Sequence, residues 1–146
     1  MPFESVKEGS VSSILLFLAL AAAAQDGASK SHTYRYEDLQ VRVNGENRSR
    51  AIFDEKMHTG FPVEVHETEL APGLAPHPPH RHENEEMLLV RDGTLEVTIM
   101  GKSVRLGPGS VALVASNEEH GWRNVGETRA RYFVVALGPR TTAAKK

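Results

Sequence analysis

Residues Gly73 to Gly93 read GLAPHPPHRHENEEMLLVRDG, and three of the chain's seven histidines fall inside them, in the six residues His77 to His82 (HPPHRH). His80 and His82 stand two apart. On an extended strand alternate side chains project to one face, so both imidazoles can reach one ion. Glu86 keeps the same parity four residues on. If extended backbone runs from His80 to Glu86, all three side chains point inward, and a fourth ligand from another strand closes a site. His120 is the candidate, followed at the same parity by Trp122 and Asn124.

Working outward, short runs rich in Val, Thr, Ile and aromatics recur between turn signals: Gln40 to Val43, Phe61 to Leu70, Glu86 to Val90, Thr94 to Met100, Lys102 to Leu106, Ser110 to Val114 and Arg129 to Leu137. This spacing predicts an all-β sandwich or barrel. Asp92-Gly93 reads as a two-residue hairpin, and Gly101 and Gly107-Pro108-Gly109 break the next runs, so consecutive antiparallel strands are expected. Asn44 to Ser49 (NGENRS) reads as a polar loop. No long amphipathic helix and no internal repeat is visible. Glu86 to Val90 and Arg129 to Leu137 are apolar at both parities, unlike a half-solvated antiparallel strand. Their second face therefore needs cover from another strand, an N-terminal arm or a second subunit, and a homodimer is the expectation.

The 146 residues allow one domain, so any site must sit inside a single core. With 17 Lys+Arg against 19 Asp+Glu, the chain lacks the basic excess that neutralises phosphates, which argues against a nucleic-acid partner. There is no cysteine, hence no disulfide and no thiolate ligand. Ile14 to Ala24 reads ILLFLALAAAA and is followed by Gln25-Asp26-Gly27. Eleven apolar residues fall short of the roughly 20 that cross a bilayer, and Ala22 and Ala24 are small residues of the kind a signal peptidase reads. The expectation is a signal peptide at 1–24 cleaved after Ala24, a flexible linker at 25–33, a barrel domain at 34–140 and a frayed tail at 141–146. The product would be secreted or periplasmic, with no membrane anchor after cleavage.

Three imidazoles and one carboxylate form a mixed nitrogen and oxygen set suited to one divalent transition metal (Mn, Fe, Co, Ni, Cu or Zn), and poorly suited to Ca. Four protein ligands leave one or two positions open on a metal that accepts five or six, which makes chemistry possible.

Residues Gly73 to Gly93 resemble the first cupin motif, in which HxH is followed by three residues, Glu, six residues and Gly. His80, His82, Glu86 and Gly93 match in register, with Gly73 one residue further upstream than usual. Gly109 to Asn124, GSVALVASNEEHGWRN, resembles the second motif through Gly109, His120 and Asn124. Ala115 and Asn117 replace the usual Pro and Gly, and Asn tolerates the positive φ that such a turn needs. The resemblance implies a cupin-like antiparallel β-barrel of the jelly-roll type, with six to eight core strands plus N-terminal strands. It also implies a metal held by His80, His82, Glu86 and His120. It does not imply one reaction, since cupins include dioxygenases, oxalate-degrading enzymes, isomerases, metal-free binding proteins and storage proteins.

The leading expectation is an exported metal-dependent oxidoreductase of dioxygenase type acting on a small oxygenated organic molecule, with Glu86 either a ligand throughout or, once released, a base. A ligand- or metal-binding module without turnover, and a metal-dependent isomerase or lyase, are the alternatives. Trp122 and Asn124 are candidates for the substrate pocket, although Trp122 also reads as plain core and Asn124 as a satisfied turn amide. His77, hemmed in by Pro76, Pro78 and Pro79, reads as a stiff loop residue at the barrel mouth. Arg81 reads as a solvated charge. His32, His58 and His66 read as surface or ordinary structural residues.

Overall fold

The computed structural model describes residues 30–139. The expected leader and tail lie outside the described residues. After a single 3-10 turn at Tyr36–Asp38, nine strands follow: β1 (Val41–Asn44), β2 (Asn47–Lys56), β3 (Pro62–Leu70), β4 (Glu85–Asp92), β5 (Leu95–Ile99), β6 (Lys102–Leu106), β7 (Val111–Val114), β8 (His120–Asn124) and β9 (Ala130–Leu137). They form a six-stranded sheet in the order β1-β2-β3-β9-β4-β7 and a three-stranded sheet in the order β6-β5-β8. Every pairing within these sheets is antiparallel, as the alternating runs and the cupin resemblance imply.

The pleat sorts side chains by parity. Leu70, Leu88, Val90, Tyr132 and Val134 of the long sheet pack against Leu95, Val97 and Trp122 of the short one. Burying each such large apolar side chain contributes roughly 1.5–3 kcal/mol. The gap between β3 and β8 is closed by the chain from Gly73 to His80. The Gly73 and Asn124 amides donate to the Asn124 and Leu74 carbonyls (2.9 Å each), and the His80 and His120 amides to each other's carbonyls (3.0 and 2.9 Å).

The cover required on the outer face of β4 and β9 is partly supplied by the N-terminal arm. Its Tyr36 ring lies 4.4 Å from the Arg50 guanidinium and 5.5 Å from that of Arg91. Beneath it, Arg50 Nη1 donates to Glu67 Oε2 (2.9 Å) and Glu69 Oε1 (2.6 Å), all three residues being buried. At the β7 side of the same face Val111 and Leu113 remain exposed.

Two expectations about connections are corrected. Asn44 to Ser49 is not a loop: Gly45, at φ +59°, turns the chain within two residues, and Asn47 already begins a ten-residue strand. The strand escapes a hydrophobic pattern because it carries Arg50 to buried carboxylates on the outer face of the sheet and bulges between Ala51 and Phe53. Asp92-Gly93 is a turn but not a hairpin, since β4 pairs with β9 and β7 while β5 pairs with β6 and β8. The glycine is needed for close approach: at φ +78°, a Cβ there would lie 2.6 Å from the Ala130 Cα, so the chain can cross from one sheet to the other only with no side chain. A two-residue hairpin of this kind lies instead at Met100-Gly101 (φ +48° and +76°), joining Ile99 to Lys102.

Candidate metal centre

Each residue singled out as a ligand is positioned by a different piece of backbone. His80 is fixed by its bridge to His120, which opens β8. Glu86 lies on β4, facing inward in a row with Val114 and Ala136. His82 does not continue a strand. The backbone bends at Glu83 and Asn84 before β4 begins at Glu85, so the continuous extended run expected from His80 to Glu86 is corrected. The bend is pinned by the Asn117 amide, which donates to the His82 carbonyl at 2.8 Å, and Asn117 takes φ +61°, as its place in the turn requires.

These pieces bring three imidazoles together. His80, His82 and His120 each offer a ligand atom within 4.8 Å of the others, so the cluster is able to hold a metal ion. Glu86 reaches into the same space, with Oε1 3.4 Å from His82 Nε2 and Oε2 3.4 Å from His120 Nε2. Two donors each about 2.1 Å from one ion at a tetrahedral angle lie about 3.4 Å apart, so these separations fit a shared ion.

The protonation pattern is set by the backbone. His82 Nδ1 lies 2.7 Å from the Asn84 carbonyl and His120 Nδ1 2.8 Å from that of Glu118. A carbonyl only accepts, so Nδ1 carries the proton in each ring and donates it, leaving the Nε2 lone pair for the centre. Those two Nε2 atoms, Glu86 Oε2 and His80 Nδ1 are buried without a hydrogen-bond partner. Such an orphan costs about 1–3 kcal/mol unless something fills it. The titration of the group follows from its crowding. Burial, helped by the nearby His77, His120 and His82, pushes His80 below the usual imidazole value. Burial would raise Glu86, but the close approach of His120 and the electrostatic influence of His82, His120 and His80 outweigh it and hold the carboxyl low. Burial would lower His120, and the close approach of the Glu86 carboxylate and the hydrogen bond to the Glu118 carbonyl outweigh that in turn, holding it high.

The remaining candidates separate. Trp122 is buried in the core, its ring stacked on His120 at 5.9 Å and edge-on to Tyr132 at 5.8 Å, and it also borders a cavity of about 220 Å³ shared with His77 and Pro79. Asn124 is corrected from pocket residue to structural amide. Fully buried, its Nδ2 donates to the Leu70 and Thr128 carbonyls (3.0 and 2.7 Å) and its Oδ1 accepts from the Gly126 amide (2.9 Å), leaving nothing for a substrate. His77 is exposed, edge-on to His80 at 4.2 Å, and contributes no atom to the three-histidine cluster. Arg81 pairs with Glu119 at the surface.

Comparison with known proteins agrees with this architecture. The family model described as "Cupin domain" matches residues 66–136. The L-ectoine synthases of Bordetella parapertussis and Bordetella bronchiseptica are each 33% identical over 94 residues, 64% of this chain and 70% of theirs. Among solved structures, KdgF from Halomonas sp. aligns with a TM-score of 0.67 at 17% identity, over 76% of this chain and 96% of that one. A predicted oxalate decarboxylase from Thermotoga maritima aligns with a TM-score of 0.66 at 21% identity, over 74% and 100%. The chain belongs to the cupin family.

Proposed function

We propose that the chain is a metal-dependent cupin enzyme, holding one divalent transition metal through His80, His82, Glu86 and His120 and acting on a small oxygenated organic molecule. The observation that carries this is the convergence of three imidazoles and Glu86 on one space, with the Nε2 atoms of His82 and His120 buried without a partner and their tautomers already fixed by backbone carbonyls. A bound ion would supply Lewis acidity to a substrate oxygen. His82 and His120 orient the site through their Nδ1–H bonds, Trp122 walls it against the core, and Glu86, held in its charged form, offsets part of the ion's charge. Equilibrium dialysis with Zn, Mn, Fe, Ni, Co and Cu tests the reading. One ion per chain is expected, with affinity falling below about pH 6 as imidazoles with a reference pKa near 6.5 take up protons. A chain that binds none of these ions contradicts it.

Two reactions compete on this site. The dioxygenase type consumes oxygen, whereas an isomerase or lyase ignores it. The second is supported by the resemblance over 94 residues to relatives named as L-ectoine synthases, a name that specifies a synthesis and no use of oxygen. Oxygen uptake by the metal-loaded protein during turnover of a candidate substrate decides for the first, and turnover under anaerobic conditions for the second.

Export and dimerisation belong to the same proposal. Export is supported by the apolar run Ile14 to Ala24, and intact mass of the protein from its native compartment should show a chain starting at Gln25. A full-length cytoplasmic protein contradicts it. Dimerisation is supported by the exposed Val111 and Leu113 beside half-buried Met87 and Val135 on one outer face. Light scattering that finds only monomer at micromolar concentration leaves the N-terminal arm as sole cover.

A further inference from the structure

His66 was expected to be an ordinary residue, yet it forms the second ordered imidazole–carboxylate arrangement of the molecule. Glu64 and His66 stand two apart on β3 and, by register through Ala136, share the inner face of the long sheet with Glu86. His66 Nδ1 lies 3.0 Å from both Glu64 carboxylate oxygens. With Glu64 ionised the carboxylate only accepts, so Nδ1 carries the proton, the ring is held in one orientation, and the Nε2 lone pair is left for a donor from elsewhere.

The pair lines a cavity of about 330 Å³, bounded also by Arg42, Asn44, Ser49 and Pro76. Register sets Arg42 in one row with Ser49 and Thr68, next to the row of Ala51 and His66, so all of them face the same side. Among the described residues the Arg42 guanidinium has no ion pair. One wall of the cavity is built in place: Asn47 Nδ2 donates to the Ala75 carbonyl (3.1 Å) and Asn47 Oδ1 accepts from the Ala71 amide (3.2 Å), tying the Ala71–Pro76 segment to β2. The cavity is distinct from the metal cluster. Glu64 and Glu86 occupy the same inward row on either side of Ala136, so their backbones are two strand spacings, about 10 Å, apart.

A cavity with an uncommitted guanidinium on one side and an oriented imidazole acceptor on the other selects a ligand with a carboxylate for the first and a hydroxyl for the second. Its volume suits a molecule at the small end of the ligand range. We propose that this cavity is a second binding site, for a small hydroxycarboxylate, with the carboxylate on Arg42 and the hydroxyl donating to His66 Nε2.

Calorimetric titration of the metal-loaded chain with L-malate, L-lactate and their deoxy counterparts succinate and propionate tests this. The hydroxy acid of at least one pair should bind about tenfold more tightly than its counterpart, the size of one hydrogen bond to an oriented acceptor. Arg42→Gln should weaken both members by about tenfold or more, since it removes a charge-assisted bond. His66→Phe should erase the preference for the hydroxyl, and Glu64→Gln should reduce it, while metal content stays as in the parent. His82→Ala should leave these affinities unchanged. The proposal is overturned if none of the four acids binds, if hydroxy and deoxy acids bind equally, or if binding is lost with His82→Ala and kept with Arg42→Gln.

Discussion

On the outer face of the long sheet, Arg50 lies buried between Glu67 and Glu69, with Arg91 3.6 Å from Glu67, Arg131 3.8 Å from Glu69, and the Tyr36 ring above. On the inner face of the same sheet, Glu86 lies among His80, His82 and His120. Both clusters bury several ionisable groups. In the outer one, opposite charges answer one another and a single carboxylate oxygen, Glu67 Oε1, lacks a hydrogen bond, with Arg91 close by. In the inner one, one carboxylate oxygen and three imidazole nitrogens lack a hydrogen-bond partner, and the three rings offer ligand atoms to one shared space. The difference separates a structural network, complete within the chain, from a site whose polar groups are completed by something from outside.

The comparison is broken most severely by removing the central charge of the outer network. Arg50→Ala leaves Glu67 and Glu69 buried without the one cation that hydrogen-bonds both, with only the more distant, partly exposed Arg91 and Arg131 nearby, and loss of one partner of a buried pair costs about 3–5 kcal/mol. Denaturant unfolding should show that loss while the ion stoichiometry of the folded variant is unchanged. A loss below about 1 kcal/mol would mean that the network is solvated and merely crowded.

The inner cluster should respond to the ion instead. At a hundred times its dissociation constant, an ion that binds only the folded state adds about 2.7 kcal/mol. A thermal melt should rise with metal and fall with chelator. His82→Ala, Glu86→Ala and His120→Ala should each remove most of that gain, and His77→Ala little of it. If all three ligand variants bind one ion as tightly as the parent, the site is elsewhere.

Asn124→Ala sharpens the distinction between site and scaffold. It strips partners from the Leu70 and Thr128 carbonyls and the Gly126 amide and should cost about 1–3 kcal/mol in a chemical melt. Metal affinity should hold, whereas a pocket role would reverse that pattern.

The smallest effect concerns acid. Burial raises the Glu69 carboxyl, but the Arg50 hydrogen bond, Arg131 and Tyr36 outweigh it and hold the carboxyl below the usual range. A folded value below the unfolded one stabilises above the unfolded value, and that contribution is lost as pH falls through the folded one. Below about pH 4.5 the parent should therefore lose stability more steeply than Glu69→Gln, by on the order of 1 kcal/mol. Parallel pH profiles would show that Glu69 titrates alike in both states.

The sequence by itself determined the all-β class, the antiparallel strands and the four residues that meet around one space. Strand parity, turn glycines and the spacing of HxH, Glu and a remote His are local properties, visible one segment at a time. Even the positive φ of Asn117 follows from the residue type at that place in the turn. Only the tertiary structure decided what depends on pairing between distant segments. Asp92-Gly93 carries the same local signal as a hairpin, but the close approach of Ala130 makes it a crossing between sheets. Asn124 and Trp122 share the parity of His120, yet carbonyls at Leu70 and Thr128 consume the amide, while His77 and Tyr132 meet the indole on two sides. Strand β2 and the buried carboxylates of β3 were hidden for one reason. Their polar residues lie on a face that is buried by charge pairing with Arg50 and covered by Tyr36, partners that hydrophobic periodicity does not register.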